Sequence, residues 1–255
     1  MRFALPLLIG CLAGTGGAAE RLAVGPGDLT SIMAPSPTQK VAHVAAFRLD
    51  RRPVTNGEFL AFVRDVPDWR RDRIAALFAD RDYLGHWVGP DDLGPDALPE
   101  HPVTHISWFA ARAYCATHGA RLPMWYEWEY AAAADEHHAD ARQDPAWRAR
   151  ILNWYSHPAN QPLAPVGRGP ANVYGIQDLH GLVWEWVEDF NALMVSADSR
   201  DQGDPDKLAF CGAGALSAED RENYPLLMRI AFLSALEARS TARSLGFRCA
   251  TGGAP

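Results

Sequence analysis

The sequence has no long apolar run beyond its first twenty residues, no basic cluster and only four cysteines. A bilayer-spanning helix takes about 20 consecutive apolar residues, and nothing after the N-terminus offers them. Acidic residues outnumber basic ones, 31 to 24, for a formal net charge of −7. Phosphate backbones are bound by clustered Lys and Arg, so this balance argues against nucleic acid as the main partner. The chain carries no GxGxxG, phosphate loop, nucleophile elbow, CxxC or HExxH. The usual signatures of dinucleotide enzymes, NTPases, serine hydrolases and zinc proteases are therefore missing. No internal repeat is visible.

What is present starts with a targeting segment. Arg2 supplies a short positive region, residues 3–12 are apolar, and Gly17-Ala18-Ala19 is a small-residue cleavage site before Glu20. This pattern predicts a signal peptide over residues 1–19 and a periplasmic or secreted protein. Leu8-Ile9-Gly10-Cys11 resembles a bacterial lipobox, so a lipid anchor at Cys11 is the alternative. The short apolar region before Cys11 favours soluble export. The exported chain keeps Cys115, Cys211 and Cys249. In an oxidising compartment an odd set leaves two paired and one free.

At 255 residues the chain is one large domain or two small ones. Nearly half is hydrophobic, and nine tryptophans can furnish an aromatic core. Residues 20–40 are rich in Gly, Pro and Ser and read as an irregular lead-in. Residues 41–49 (VAHVAAFRL) alternate loosely and predict a strand. Thr55-Asn56-Gly57-Glu58 is a capping box opening a helix. Ile74, Leu77 and Phe78 have helical spacing. Ser107 caps a helix over residues 108–118, ended by Gly119. WYEWEYAAAA predicts a third, and Asp144-Pro145 opens a fourth. Residues 163–172 read as a linker and residues 191–207 as a long loop. Residues 226–236 predict a strand or other buried segment. The sum is an α+β domain with short elements and long loops.

Residues 174–190 (YGIQDLHGLVWEWVEDF) place Asp178 and Glu185 in an apolar, aromatic frame with Gly181 between them. Acids in such a frame need a positive or hydrogen-bonding partner. A turn at Gly181 would let both acids and nearby carbonyls converge as hard oxygen ligands for calcium. The alternative is a buried turn whose acids bond backbone N–H groups or an arginine. Glu127 and Glu129 are candidate catalytic acids, but acids of this kind more often lock a loop through arginine. His137-His138 reads as surface, because adjacent residues do not share a helix face.

Four ordered stretches carry a resemblance: FRLDRRPVTNGEFLAFV, HPVTHISWFAARAYCATHGARLPMWYEWEYAAA, ANVYGIQDLHGLVWEWVED and LGFRCA. Together they resemble the formylglycine-generating enzyme (sulfatase-modifying factor) superfamily over residues 40–250. The resemblance implies a C-type lectin-like fold with little regular structure. It implies calcium held by Asp178 and Glu185 side chains with the Gly181 and Val183 carbonyls. It also implies a Cys115–Cys249 disulfide.

The family's catalytic pattern is not matched. Formylglycine generators carry two nearby cysteines that bind copper(I), which prefers soft thiolates. Here Ser217 stands at the first position, no second cysteine follows before Cys249, and Cys211 comes early and alone. The resemblance therefore points to exported branches without the pair. These include the periplasmic pyoverdine-maturation members and accessory proteins encoded with copper nitrite reductase. The first reading is a maturation enzyme for a peptide, a protein or a siderophore precursor. Its groove would hold Cys211, Ser217, Glu219, Asp220, Arg221, Tyr224 and Arg229. Glu219 or Asp220 would serve as general base and Arg221 or Arg229 as an anion clamp, with copper or iron left open. The second reading is a non-catalytic binding module for a partner such as a copper enzyme.

Overall fold

The computed structural model describes residues 19–30, 41–156, 161–191 and 224–253. Its regular structure is short and mixed, an α+β fold. Seven strands are described: β1 (Arg21–Val24), β2 (Gly27–Thr30), β3 (Val41–Val44), β4 (Phe47–Asp50), β5 (Trp184–Glu185), β6 (Leu245–Gly246) and β7 (Ala250–Gly252). The helices are α1 (Asn56–Asp65), α2 (Trp108–Thr117), α3 (Trp125–Ala132), α4 (Pro145–Tyr155) and α5 (Tyr224–Ser234).

The predicted helix starts follow their caps. Thr55 accepts the Glu58 N–H while Glu58 accepts the Thr55 N–H, closing the capping box of α1. Ser107 accepts from Ala110 N–H at α2, and Asp144 from Ala146 N–H at α4. Gly119 ends α2 with φ +63°, in the left-handed region that glycine occupies without a Cβ penalty.

Several expectations are corrected. The single strand over 41–49 is two strands in different sheets. β3 pairs with β2, whereas β4 lies between β1 and β7, all antiparallel. Part of the supposed lead-in supplies β1 and β2, and Val24 and Leu29 are buried. The folded unit thus begins before residue 40. Residues 74–78 are turns instead of a helix, with Leu77 72% exposed. The apolar run at 226–236 is mostly the helix α5, because Ile230 and Leu233 bury one face at helical spacing.

Most of the core is a single cluster, with Trp147 and Ile151 of α4 in a smaller one beside it. Phe59 and Phe62 of α1, Tyr114 of α2, Trp125 and Trp128 of α3, Trp186 and Phe247 pack in one cluster. The Cys115–Cys249 disulfide ties α2 to the C-terminal segment across 134 residues. Closing so long a loop stabilises the fold by about 4–5 kcal/mol in the chain-entropy account.

Candidate functional site

The strand pair β5–β6 is the hub of the site. It is parallel and only two residues wide, with Glu185 opposite Gly246. The Glu185 side chain points inward and is fully buried, as is that of Arg248. Arg248 Nε donates to Glu185 Oε2 at 2.7 Å and Nη2 donates to Oε1 at 2.8 Å. Trp128 Nε1 donates to Oε2 at 2.8 Å. The remaining guanidinium hydrogens reach the carbonyls of Asp50 (3.1 Å) and Gln177 (3.0 Å). One arginine thereby joins β4, the 174–190 stretch and the C-terminal segment.

Asp178 takes the left-handed backbone at φ +60°. Its carboxylate accepts the N–H groups of Gly167 and Gly169. Asp178 and Glu185 are thus engaged by separate sets of N–H donors, in the manner of a hydrogen-bonded turn. A cation shared between them would have to share carboxylates already engaged by those donors and sit beside the Arg248 guanidinium. As arranged, Asp178, Gly181, Val183 and Glu185 do not fit the calcium ion that the resemblance implies. No group of three or more metal-ligating side chains occurs among the described residues.

A second ionic layer lies beside the first. Arg229 of α5 is 2% exposed. Its guanidinium carbon stands 3.5 Å from the Trp128 ring centroid and 5.3 Å from that of Trp125. Nη2 donates to the Glu185 carbonyl at 3.1 Å. Glu129 Oε1 lies 3.3 Å from Arg229 Nε but makes no aligned hydrogen bond among the described residues. Burial therefore outweighs the ion pair and pushes the Glu129 carboxyl up to about 7. The same burial lowers the Arg229 pKa. An anion clamp needs an open guanidinium, so Arg229 is corrected to a buried partner of Glu129 and Trp128. The locking role expected of such acids fits Glu127. Glu127 is held by Arg121 at 2.6 and 2.7 Å.

His180 follows the same logic. Its Nε2 faces the Ala132 carbonyl at 3.0 Å, while Nδ1 is buried without a partner among the described residues. Burial lowers its pKa to about 4. It borders a cavity of about 130 Å³ together with Asp178, Trp147 and Gly181. A larger cavity of about 540 Å³ adjoins it, sharing Arg150, Trp154 and Gly181. Tyr155 of α4, Trp184 of β5 and Met228 of α5 also line that space.

Cys11, Cys211, Ser217, Glu219, Asp220 and Arg221 lie outside the described residues, as does the Tyr224 side chain. Tyr224 begins α5, about one turn ahead of Met228 in the large cavity. The structure adds residues that the sequence reading gave no role: Arg248, His180, Trp154, Tyr155 and Ser244. Only Arg248 had a usable signal. A lone charge within LGFRCA, otherwise apolar, needs a buried partner.

The chain is similar to several known proteins. The family model for the sulfatase-modifying factor enzyme 1-like domain matches residues 14–252. A formylglycine-generating enzyme from Streptomyces coelicolor is 31% identical over 244 residues, 80% of this chain and 77% of the relative. A hercynine oxygenase from Mycobacterium tuberculosis is 35% identical over 163 residues, 58% of this chain and only 38% of the relative. The solved structure of PvdO from Pseudomonas aeruginosa superposes with a TM-score of 0.49 at 18% identity, over 91% of this chain and 94% of that one. The chain belongs to the sulfatase-modifying factor enzyme 1-like family, whose α+β fold it carries.

Proposed function

We propose that the protein is an exported maturation factor that acts on a peptide or protein and does not itself generate formylglycine. The observation that supports this is the use of its cysteines. Cys115 and Cys249 are joined in a disulfide. Of the four cysteines only Cys11 and Cys211 are left, and Cys11 falls in the expected signal peptide. A mature chain with Cys211 alone cannot supply the thiolate pair that copper(I) chemistry of the generator type needs. The export reading rests on the N-terminal pattern, and the peptide or protein substrate on kinship with a formylglycine-generating enzyme.

A second reading is a binding module that holds a partner without chemistry. It is favoured by the pairing of charged groups around the site, Glu185 with Arg248 and Glu136 with Arg150. One experiment separates the readings. The mature reduced protein is loaded with copper(I) or iron(II), and metal content and oxygen consumption are measured with cysteine-containing peptides. The Cys211→Ala variant runs in parallel. The proposal expects no conversion of peptide cysteine to formylglycine by mass spectrometry. Conversion that disappears in Cys211→Ala would overturn it. Metal-dependent oxygen uptake without formylglycine selects the enzyme. No uptake, with partner capture retained, selects the module.

A further inference from the structure

The 540 Å³ cavity is walled by rings from two elements that are distant in sequence. Trp184 is central. Tyr155 stacks on it at 5.2 Å and 30°, and Phe232 of α5 at 4.8 Å and 23°. Trp154 approaches at 5.5 Å. These contacts hold Trp184 in place, so the wall is formed before any ligand arrives. Met228 adds a polarizable thioether that packs well against a ring edge.

The charge on the lining narrows the ligand class. Arg150 is the charged side chain among the described lining residues. Both of its terminal nitrogens donate to Glu136, at 2.9 and 3.1 Å. An anionic ligand would find that cation already paired, and a cationic ligand would find no carboxylate among the described lining residues. Asn153, Gln161 and Ser244 provide neutral polar groups around the rings. The volume falls within the range typical of small-ligand sites.

We infer that this cavity is a subsite for a neutral aromatic side chain, of the tryptophan or tyrosine type, presented by the peptide or protein substrate. The inference rests on the maturation reading and gives its substrate a required feature. An aromatic guest can meet the edges of these rings and the Met228 thioether, whereas an aliphatic guest of similar volume gains only burial.

The test uses the full mature chain and blocked amino-acid amides as probes, read by titration calorimetry and ligand-detected NMR. N-acetyl-tryptophanamide and N-acetyl-tyrosinamide are compared with the leucine, lysine and glutamate amides. The aromatic amides should bind at least about ten-fold more tightly than the others. Met228→Trp, which fills the space from α5, should weaken them at least ten-fold while leaving the melting transition in place. Leu182→Trp fills it from the turn ahead of β5 and serves if the first variant does not fold. Equal binding of the leucine amide, no binding of the aromatic amides, or unchanged affinity in a folded filling variant would each overturn the subsite. Failure here would leave the cysteine argument standing. Formylglycine production would refute the maturation reading whatever the cavity binds.

Discussion

Removing the Arg248 guanidinium should cost more stability than any other single change at an ionic group of the site. Arg248→Met keeps much of the apolar stem and deletes the charge. Glu185 is then left fully buried with one donor, Trp128 Nε1, where it had three. Breaking a buried pair in this way costs about 3–5 kcal/mol, because one charge remains uncompensated. The carbonyls of Asp50 and Gln177 lose their donor as well. For a chain of this size each kcal/mol lowers the melting temperature by about 2–4 °C, so the fall should be roughly 6–20 °C. Urea unfolding followed by circular dichroism measures it, provided the m-value is unchanged. The rest of the cycle is Glu185→Leu alone and in the Arg248→Met background. Deleting the stranded carboxylate should restore part of the loss, giving a coupling that separates the pair from its packing. A cost under about 1 kcal/mol for Arg248→Met would refute the reasoning, since a buried carboxylate cannot be stranded so cheaply.

Glu129 gives a pH signature. Its carboxyl is raised from 4.5 to about 7 by burial, so the folded state binds more protons than the unfolded state between those values. Its contribution is fully present below about pH 4.5 and is lost as pH rises through about 7. Glu129→Gln should abolish that decline, by up to about 3 kcal/mol, in unfolding curves taken from pH 4.5 to 8; an unaltered slope would contradict the burial argument. His180 acts in the opposite sense. Its pKa falls from 6.5 to about 4, so its contribution is lost as pH drops through that window, and His180→Gln should flatten the acid limb of the same curves. Asp178→Ala should cost about 2–3 kcal/mol, from the loss of two hydrogen bonds to a carboxylate that also supports the left-handed backbone. Asp178→Asn, which tolerates that backbone and keeps an acceptor, should cost under about 1 kcal/mol in the same denaturation assay. Calcium or a chelator should leave the melting temperature unmoved; a calcium-dependent rise that Asp178→Ala removes would show that the turn rearranges around the ion.

The local chemistry of the chain was legible wherever neighbours in sequence decide structure. The caps of α1, α2 and α4 depend on a side chain reaching an N–H two or three residues away, so Thr55, Ser107 and Asp144 announce themselves. Residues 226–236 were ambiguous because a short apolar run suits a strand or a helix equally. Residues 41–49 alternate as a single strand would, yet a break at Ala45-Ala46 sends the two halves into different sheets, and only the partners β1, β2 and β7 reveal it. Residues 74–78 have helical spacing, but only Ile74 and Phe78 find partners while Leu77 is exposed, and the segment forms turns.

The site divides in the same way. Sequence alone determined that Asp178 and Glu185 sit in an apolar frame and must be partnered, and that a second thiolate near Cys211 is missing. It also determined, through four ordered stretches, which family the chain resembles. What it could not determine is which partner each acid takes. Glu185 meets Arg248 from 63 residues away, and Glu129 meets Arg229 from the far side of the chain. Trp184 meets Tyr155 and Phe232 in the same manner. Those contacts depend on how the helices and the β5–β6 pair pack together, because burial makes the nearest opposite charge or ring the favourable partner whatever its place in the sequence.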